Sequence, residues 1–333
     1  DFVDEASEAD LKFAKQILAE EADGKVPYLY VPGNHEAMGD KDISLFEKII
    51  GSAHTTKDVK GIRIITLDSS NGNLHGQGTG QLVDLERQLA DAKTNKSVKG
   101  VLVFTHMPID DFLPSKNSQL GDRYEAEQLK SNLEAFRDES GKGVAMINGH
   151  VGAFNATSFD GVSQLTNGNS GKGPSSTVDN GGFIGWTMLG INPSAGSVGS
   201  VAEGDTLARL KWLRAQTNPQ IDADSLKVVD DQGQPVTSLT LKAGSALDLK
   251  AIFTQEDGTR TVPVQWPVSF VWSGDGVAVD DGLDTKAAET TGQIVRMEAA
   301  TGRLTAVSGG TVTLHLSVNG QTVSVPVTVT SVS

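Results

Sequence analysis

The sequence predicts an α/β (α+β) layered domain followed by an all-β sandwich. The first observation is that short apolar runs alternate with helical patterns from residue 5 to about residue 220, which is typical of helices covering the faces of a sheet. The second is that helix periodicity ends near residues 218–224, after which Val, Thr, Ser and Gly dominate. We therefore expect two domains, residues 1–222 and residues 223–333.

The first domain is predicted to contain three amphipathic helices and several buried strands. Apolar runs at residues 28–31, 62–67, 101–105 and 144–148 are typical of buried strands. Three other segments place apolar residues at helix spacing, and each predicts a helix with one buried face. The apolar positions of these helices are Leu11, Ala14 and Leu18, then Leu82, Leu85 and Leu89, then Leu129, Leu133 and Phe136.

The second domain is predicted to be a small β-sandwich of roughly seven short strands. Apolar and polar residues alternate there, which indicates half-buried antiparallel strands. Asn319-Gly320 joins the last two runs and predicts a tight hairpin, because both central positions of a type I′ turn need positive φ. Trp266 and Trp272 are expected in the core. The alternating residues are Leu247, Leu249, Ala251 and Phe253, then Val312, Leu314, Leu316 and Val318, then Val323, Val325, Val327 and Val329.

Three of the predicted strands in the first domain end close to a histidine. His35 follows its strand after Pro-Gly-Asn, His106 follows its strand directly, and His150 follows its strand after one glycine. Residues that handle ligands gather beyond the carboxyl ends of strands in open α/β sheets. Half of the six histidines are therefore expected at one place, a pattern that indicates a metal-assisted hydrolase.

Composition excludes several other classes of function. The 42 acidic and 28 basic residues give a net charge of −14, which repels polyanions, so we do not favour a nucleic-acid partner. Cysteine is absent, which rules out disulfides, thiolate ligands and a cysteine nucleophile. No run approaches the ~18 to 20 apolar residues of a membrane span, and the chain begins without a signal-peptide pattern.

Residues 1 to about 220 resemble the calcineurin-like metallophosphoesterases. The opening Asp1-Phe2-Val3-Asp4 is similar to the family's Gly-Asp-x-x-Asp motif without its glycine. The resemblance implies a four-layer sandwich of two sheets flanked by helices, here lacking its first strand. It also implies hydrolysis of phosphate monoesters or diesters by attack of a metal-bound hydroxide. The similar segments are residues 33–36 (Gly-Asn-His-Glu), 67–70, 81–89, 105–108, 149–150 and 167–171.

The resemblance implies a particular set of metal ligands. Asp1 would bridge two divalent cations about 3.5 to 4 Å apart. Asn34, His106 and His150 would complete the protein ligands of the second cation. Imidazole suits Mn, Fe and Zn, and a carboxylate bridge suits a pair of ions.

His35 is not a metal ligand in the family pattern. The resemblance implies that it protonates the leaving oxygen or stabilises the charge that develops there. Asp4 would accept a hydrogen bond from the other ring nitrogen of His35 and fix its orientation. Glu36 and Asp68 also follow strand ends, and we expect them to hold neighbouring groups without a catalytic role.

The chain departs from the family at the first cation. The strand that ends in the family's Asp-x-His pair is absent, and Gly152 stands where the family has a further histidine ligand. Truncation of a longer protein, or supply of this segment by another piece of chain, explains the missing strand but not Gly152. Two explanations of Gly152 stay open: a first site built differently, with Asn155 or a water, or an enzyme that works with one firmly held cation.

Residues 225 to 331 resemble the bacterial immunoglobulin-like domains of group 2, through residues 239–244, 301–307 and 310–313. That family provides spacer and adhesion modules on bacterial surface proteins. This resemblance implies a secreted or cell-surface protein with cell-wall or surface partners. The resemblance of the first domain to the phosphoesterases implies a small phosphate ester as substrate. The alternative is a surface binding or structural module whose phosphatase fold has lost activity, and a purely adhesive protein is a third possibility.

Overall fold

A computed structural model describes residues 1–22, 26–38, 42–76, 78–113, 117–193, 212–281 and 292–331. The chain divides into two compact units: Asp1–Gly168 with Leu189–Arg214, and Asn169–Met188 with Ala215–Ser333. The first unit mixes helices and strands, which confirms the predicted α/β class. The assignment of residues 1–222 and 223–333 to two domains stays a prediction.

One sheet organises the described part of the first unit. Its strands are β1 (Thr55–Val59), β2 (Ile62–Thr66), β3 (Gly100–Phe104), β4 (Gly143–Asn148), β5 (Asn155–Phe159) and β6 (Val162–Thr166). They lie in the order β1-β2-β3-β4-β6-β5, with β2, β3, β4 and β6 parallel and the two edge strands antiparallel. Because β3 and β4 are parallel neighbours, the residues that follow them emerge side by side at one edge.

The three helices predicted from apolar spacing are confirmed. The two longer ones, α3 (Gly80–Thr94) and α4 (Arg123–Ser140), pack with one face of the sheet in a core that includes Leu85, Leu129 and Met146, all fully buried. Asp122 caps the N-terminus of α4 by accepting hydrogen bonds from the backbone N–H groups of Tyr124 and Glu125. The helices described are α1 (Glu8–Glu21), α2 (Ser44–Ile49), α3 (Gly80–Thr94) and α4 (Arg123–Ser140).

Trp212 covers the opposite face of the sheet. Its ring is 3% exposed and packs with Leu102 and Ala145, whose side chains alternate with those of the first core. Gly100 and Gly143 are paired on adjacent strands, and a Cβ on either residue would overlap the Trp212 ring. The two glycines therefore let the indole lie directly on the backbone.

Replacing Gly143 with alanine is expected to destabilise the protein by about 1–3 kcal/mol, because the added methyl group must displace the Trp212 ring or the strand. Urea unfolding followed by tryptophan fluorescence measures the change. Gly80→Ala is the matched control, since a Cβ at this helical position meets nothing within 4 Å. Equal urea midpoints for Gly143→Ala and the parent would contradict the prediction.

The predicted strand at residues 28–31 is wrong. This segment is neither helix nor strand, and it pairs with no strand in the described part of the chain. Tyr28 and Leu29 are exposed, whereas the prediction requires them to be buried. A β-prone apolar run does not specify a backbone partner, and without one it stays outside the sheet.

The second unit is built mainly from strands, and the predicted hairpin is confirmed. Asn319 and Gly320 have φ values of 42° and 81°. They connect two long strands whose inner valines and leucines are buried, apart from the half-buried Val323. Trp272 is buried as expected, but Trp266 is exposed, because it lies in a connection between strands. Two strands come first along the chain, β7 (Gly185–Ile191) and β8 (Leu213–Pro219), and they pair with each other. The strands that follow are β9 (Lys227–Val229), β10 (Leu239–Lys242), β11 (Ala246–Asp248), β12 (Lys250–Gln255), β13 (Arg260–Pro263), β14 (Phe270–Ser273), β15 (Val277–Asp280), β16 (Val295–Glu298), β17 (Arg303–Ala306), β18 (Gly310–Val318) and β19 (Gln321–Thr330).

The described strands of this unit form sheets in the orders β10-β19-β18-β14, β11-β17-β16-β15 and β13-β12-β9. The run predicted from alternation at residues 247–253 is divided between β11 and β12, with Leu249 between them. Among the described residues, none of the helices combines the length and the apolar composition that a membrane span requires.

Candidate metal centre

The site lies where β3 and β4 end. His106 follows β3 and His150 follows β4, and the backbone N–H of Gly149 donates to the carbonyl oxygen of His106 at 2.9 Å. The hydroxyl of Ser69, after β2, accepts the N–H groups of His106 at 3.1 Å and Met107 at 3.0 Å. Backbone hydrogen bonds therefore fix both histidines relative to the sheet.

The four residues predicted as metal ligands are brought together around one nitrogen. His106 Nε2 lies 3.0 Å from His150 Nδ1, 3.1 Å from Asn34 Oδ1 and 3.3 Å from Asp1 Oδ1. Ligand atoms of Asp1, His106 and His150 all lie within 4.8 Å of one another. One imidazole, buried to 7% exposure, is thus the centre of the cluster.

These distances suit ligands that share one cation. Two donor atoms each bonded at about 2.1 Å lie about 3.0 to 3.4 Å apart when the angle between the bonds is octahedral or tetrahedral. Without a cation, His106 Nε2 faces two hydrogen-bond acceptors, Asn34 Oδ1 and Asp1 Oδ1, and the ring of His150. A single N–H group on Nε2 cannot make full hydrogen bonds to all three neighbours. The donor set of two imidazoles, an amide oxygen and a carboxylate fits a first-row divalent metal.

Both imidazoles are held in the neutral form that binds metals. Burial lowers the pKa of His106 to about 3. Burial and the neighbouring His106 lower the pKa of His150 to about 4. A neutral ring offers a lone pair without first having to lose a proton.

The stability of the metal-free protein is expected to fall as the pH is lowered from about 6.5 toward 4. An unfolded histidine has a pKa of about 6.5, whereas the folded values for His106 and His150 are about 3 and about 4. In this window the unfolded state binds more protons, so the free energy of unfolding rises with pH. The loss between pH 7 and pH 5, the range measured below, is on the order of 4 kcal/mol for the two histidines together.

Urea unfolding in EDTA at pH 7, 6 and 5 measures this dependence. Other groups also titrate in this range, so the comparison is with a His106→Ala/His150→Ala variant, for which a flatter dependence is expected. Parallel curves for the two proteins would show that these histidines do not cause the acid sensitivity.

His150 has a strained backbone. Its φ is 64°, a value that residues other than glycine rarely adopt and that costs on the order of 1 kcal/mol. The His150 ring lies edge-on to the His106 ring, with ring centroids 4.8 Å apart. Such strain is found where the geometry of a site requires it.

His35 lies beside the cluster. Its backbone N–H donates to Asp1 Oδ1 at 3.1 Å, and its Nε2 is 3.9 Å from Asp1 Oδ2. Its Nδ1 donates to the backbone carbonyl of Asp4 at 2.6 Å, whereas the Asp4 carboxylate is 3.9 Å from Nδ1 and 94% exposed. The structure therefore brings Asp4 and His35 together through the main chain of Asp4, not through its carboxylate as expected.

Gly33 is required by the close approach of the chain at this point. A Cβ here would overlap the carboxylate of Asp1 and lie 2.8 Å from His106 Cε1. Gly152 adds no side chain to the cluster, and Asn155 begins β5 opposite Thr166. Within the described ranges, no further His, Cys, Asp or Glu completes the group of Asp1, His106 and His150.

Ser69 is a site residue whose role the sequence did not predict. It lies in a segment that resembles the phosphoesterase family, but its hydroxyl accepts from backbone groups 37 and 38 residues further along the chain. Sequence patterns describe local periodicity and do not report such long-range pairs. The available signal was the polar Asp-Ser-Ser run directly after a buried strand.

A second group of possible metal ligands consists of His75, Asp122 and Glu125. Glu125 accepts hydrogen bonds from His75 Nδ1 at 2.7 Å and from the N–H of Leu74 at 2.7 Å. Asp122 is the N-cap of α4. These contacts account for the group as an anchor between a loop and a helix.

Comparison with known proteins finds only distant similarity. No family model matches the chain, and no curated protein is similar to it. Solved structures give low similarity: GAP50 from the inner membrane complex of Plasmodium (20% identity, TM-score 0.38), a dimetal phosphatase from Danio rerio (16%, 0.32) and a purple acid phosphatase from yellow lupin seeds (10%, 0.38). The alignments cover 53%, 48% and 96% of this chain, and 62%, 67% and 43% of the respective structures.

The chain thus spans about 62% of the GAP50 structure and less than half of the lupin phosphatase. All three TM-scores are below 0.5, and all identities are below 25%.

Proposed function

We propose that the chain is a metal-dependent phosphohydrolase that cleaves phosphate esters. The observation that carries this proposal is the convergence of Asp1, Asn34 and His150 on His106 Nε2, at 3.0 to 3.3 Å. A divalent cation held there would supply a more acidic water and would offset negative charge on phosphoryl oxygens. Mn²⁺, Fe²⁺ and Zn²⁺ suit the donor set, and Asp1 is the residue proposed to hold a second cation as well.

His35 is proposed as the catalytic acid. Its Nδ1 is engaged by the carbonyl oxygen of Asp4 at 2.6 Å, so the ring orientation is set and Nε2 is the nitrogen directed toward Asp1. A protonated Nε2 would donate to the leaving oxygen of the ester. Asp4 is proposed to orient His35 through this contact.

The experiment that tests the proposal is hydrolysis of p-nitrophenyl phosphate and bis(p-nitrophenyl) phosphate after addition of Mn²⁺ or Zn²⁺. Metal-dependent release of nitrophenol, abolished by EDTA and by His150→Ala, is expected. His315→Ala is the control, because His315 lies on β18 and bonds to Ser324. Comparison of the two substrates separates a monoesterase from a diesterase, and no metal-dependent hydrolysis of either would reject the proposal.

A second candidate is a surface binding or structural module whose phosphatase fold has lost activity. Gly152 favours it, because a glycine offers no ligand at the position where the related enzymes carry a histidine. Stoichiometric metal binding without hydrolysis of either ester would support this candidate over the enzyme.

We also propose that residues 1–222 form a four-layer phosphoesterase sandwich and that residues 223–333 form an immunoglobulin-like sandwich. The strand-rich second unit and its β18–β19 hairpin support the latter. On this basis we propose a bacterial secreted or cell-surface protein with surface partners bound through the β-domain. Fractionation of the source cells with an antibody against the second unit tests the location.

A further inference from the structure

Glu36 is fully buried next to the metal ligands without being one of them. A buried carboxylate is costly unless hydrogen-bond donors surround it. The described residues supply four: the backbone N–H groups of Phe2, Val3 and Gly33, and the hydroxyl of Tyr30.

The two oxygens of this carboxylate are bonded to different parts of the chain. Oε1 accepts from Phe2 N at 2.8 Å and Val3 N at 3.2 Å, and these residues directly follow Asp1. Oε2 accepts from Gly33 N at 2.6 Å, and Gly33 directly precedes Asn34. One side chain therefore joins the two segments that carry the first two metal ligands.

We propose that Glu36 is a positioning residue that holds Asp1 against the rest of the metal cluster. The inference rests on the proposed metal-dependent function. Asp1 Oδ1 lies 3.3 Å from His106 Nε2, and a shift of about 1 Å in one ligand is enough to impair such a site. Glu36 limits this shift because it fixes the two backbone N–H groups next to Asp1.

Packing fixes the position of Tyr30, which donates a hydrogen bond to Glu36. The Tyr30 ring lies edge-on to Phe2 and to Phe46, with ring centroids 6.0 and 5.0 Å apart respectively. Phe46 is fully buried in the small core beneath α1 and α2. The Tyr30 hydroxyl therefore reaches Glu36 Oε1, at 2.8 Å, from a fixed position.

The test is Glu36→Gln, which keeps the size of the side chain but replaces one oxygen with NH₂. In either amide orientation the NH₂ group faces backbone N–H donors, of residues 2–3 or of Gly33, and one of the two segments is released. We expect Mn²⁺ to bind about 10- to 100-fold more weakly, the range found when groups supporting metal ligands are lost. The electron paramagnetic resonance signal of free Mn²⁺ measures the dissociation constant.

Tyr30→Phe is the matched control, because it removes one buried hydrogen bond to Glu36 and leaves the three backbone N–H bonds. Both variants are expected to melt at lower temperature than the parent, and only Glu36→Gln to lose Mn²⁺ affinity. The inference is overturned if Glu36→Gln binds Mn²⁺ within threefold of the parent, or if Tyr30→Phe loses as much affinity.

Glu36→Asp keeps the charge but is one methylene shorter, so it cannot span both segments. Glu36→Asp replaces Glu36→Gln in the Mn²⁺ measurement if Glu36→Gln does not fold. A larger Mn²⁺ dissociation constant is expected, and an affinity equal to that of the parent overturns the inference. A parent chain that binds no Mn²⁺ removes the proposed function together with the inference, an outcome distinct from failure in the variants alone.

Discussion

Replacing His106 with alanine is expected to weaken binding of the divalent cation by more than about 100-fold, the upper end of the loss caused by changing residues that only support a ligand. His106 Nε2 is the atom that Asn34, His150 and Asp1 all approach, at 3.1, 3.0 and 3.3 Å. Its removal leaves the other three proposed ligands without their shared neighbour. Metal content by elemental analysis, after reconstitution with Mn²⁺ and separately with Zn²⁺, measures the effect.

The number of metal ions bound per parent chain shows whether the cluster is a one-cation or a two-cation site. Two equivalents would mean that residues not yet identified complete a first site. One equivalent that disappears in His106→Ala would establish the cluster as a single-cation site. His315→Ala should bind as the parent does, and metal retained in His106→Ala would refute the assignment of His106 as a ligand.

Replacing His35 with alanine is expected to lower kcat by about 10²- to 10⁴-fold, the contribution typical of a general acid. Metal content should be unchanged, because the His35 ring is not among the clustered ligand atoms. The loss should be larger for phenyl phosphate than for p-nitrophenyl phosphate, because the more basic leaving oxygen depends more on protonation. Steady-state kinetics on the two esters, with the metal saturating, give the comparison.

Asp4→Ala separates the two groups of Asp4 that lie near His35. The backbone carbonyl that accepts from Nδ1 at 2.6 Å is retained, and the exposed carboxylate at 3.9 Å is removed. Turnover close to that of the parent assigns the orientation of His35 to the backbone. A loss as large as that of His35→Ala assigns it to the carboxylate, and parent-like kcat in His35→Ala itself would remove the acid from the proposed mechanism.

The parts of the fold that could be predicted are those governed by local periodicity. Leu82, Leu85 and Leu89 lie on one side of α3 and are all buried, so their spacing alone located the helix. Asn319-Gly320 alone predicted the hairpin, because these two residue types readily adopt the positive φ that the turn needs. Residues 28–31 had the composition of a strand, but pairing depends on another segment of backbone, and no local pattern reports whether that segment is present.

The placement of two candidate ligands, His106 and His150, was predictable for a related reason, whereas Asp1 and Asn34 were expected only from the resemblance to the phosphoesterase family. His106 and His150 follow strands recognisable from their apolar runs, and parallel neighbouring strands deliver the next residues to the same edge. The contact of His35 with the carbonyl of Asp4 was not predictable, because main-chain acceptors are the same at every residue. Glu36 was recognised as acidic, but its complete burial depends on how residues 1–3 fold back over it.

The cluster joins parts of the chain that are far apart in sequence, since Asn34 and His150 lie 72 and 44 residues from His106. An unfolded chain cannot present these atoms together, so a cation that binds the cluster is a ligand of the folded state only. Binding then adds RT ln(1 + [M]/Kd) to folding, about 2.7 kcal/mol when the free metal is 100 times Kd. The supply of metal would thereby set the resistance of the protein to heat and proteases.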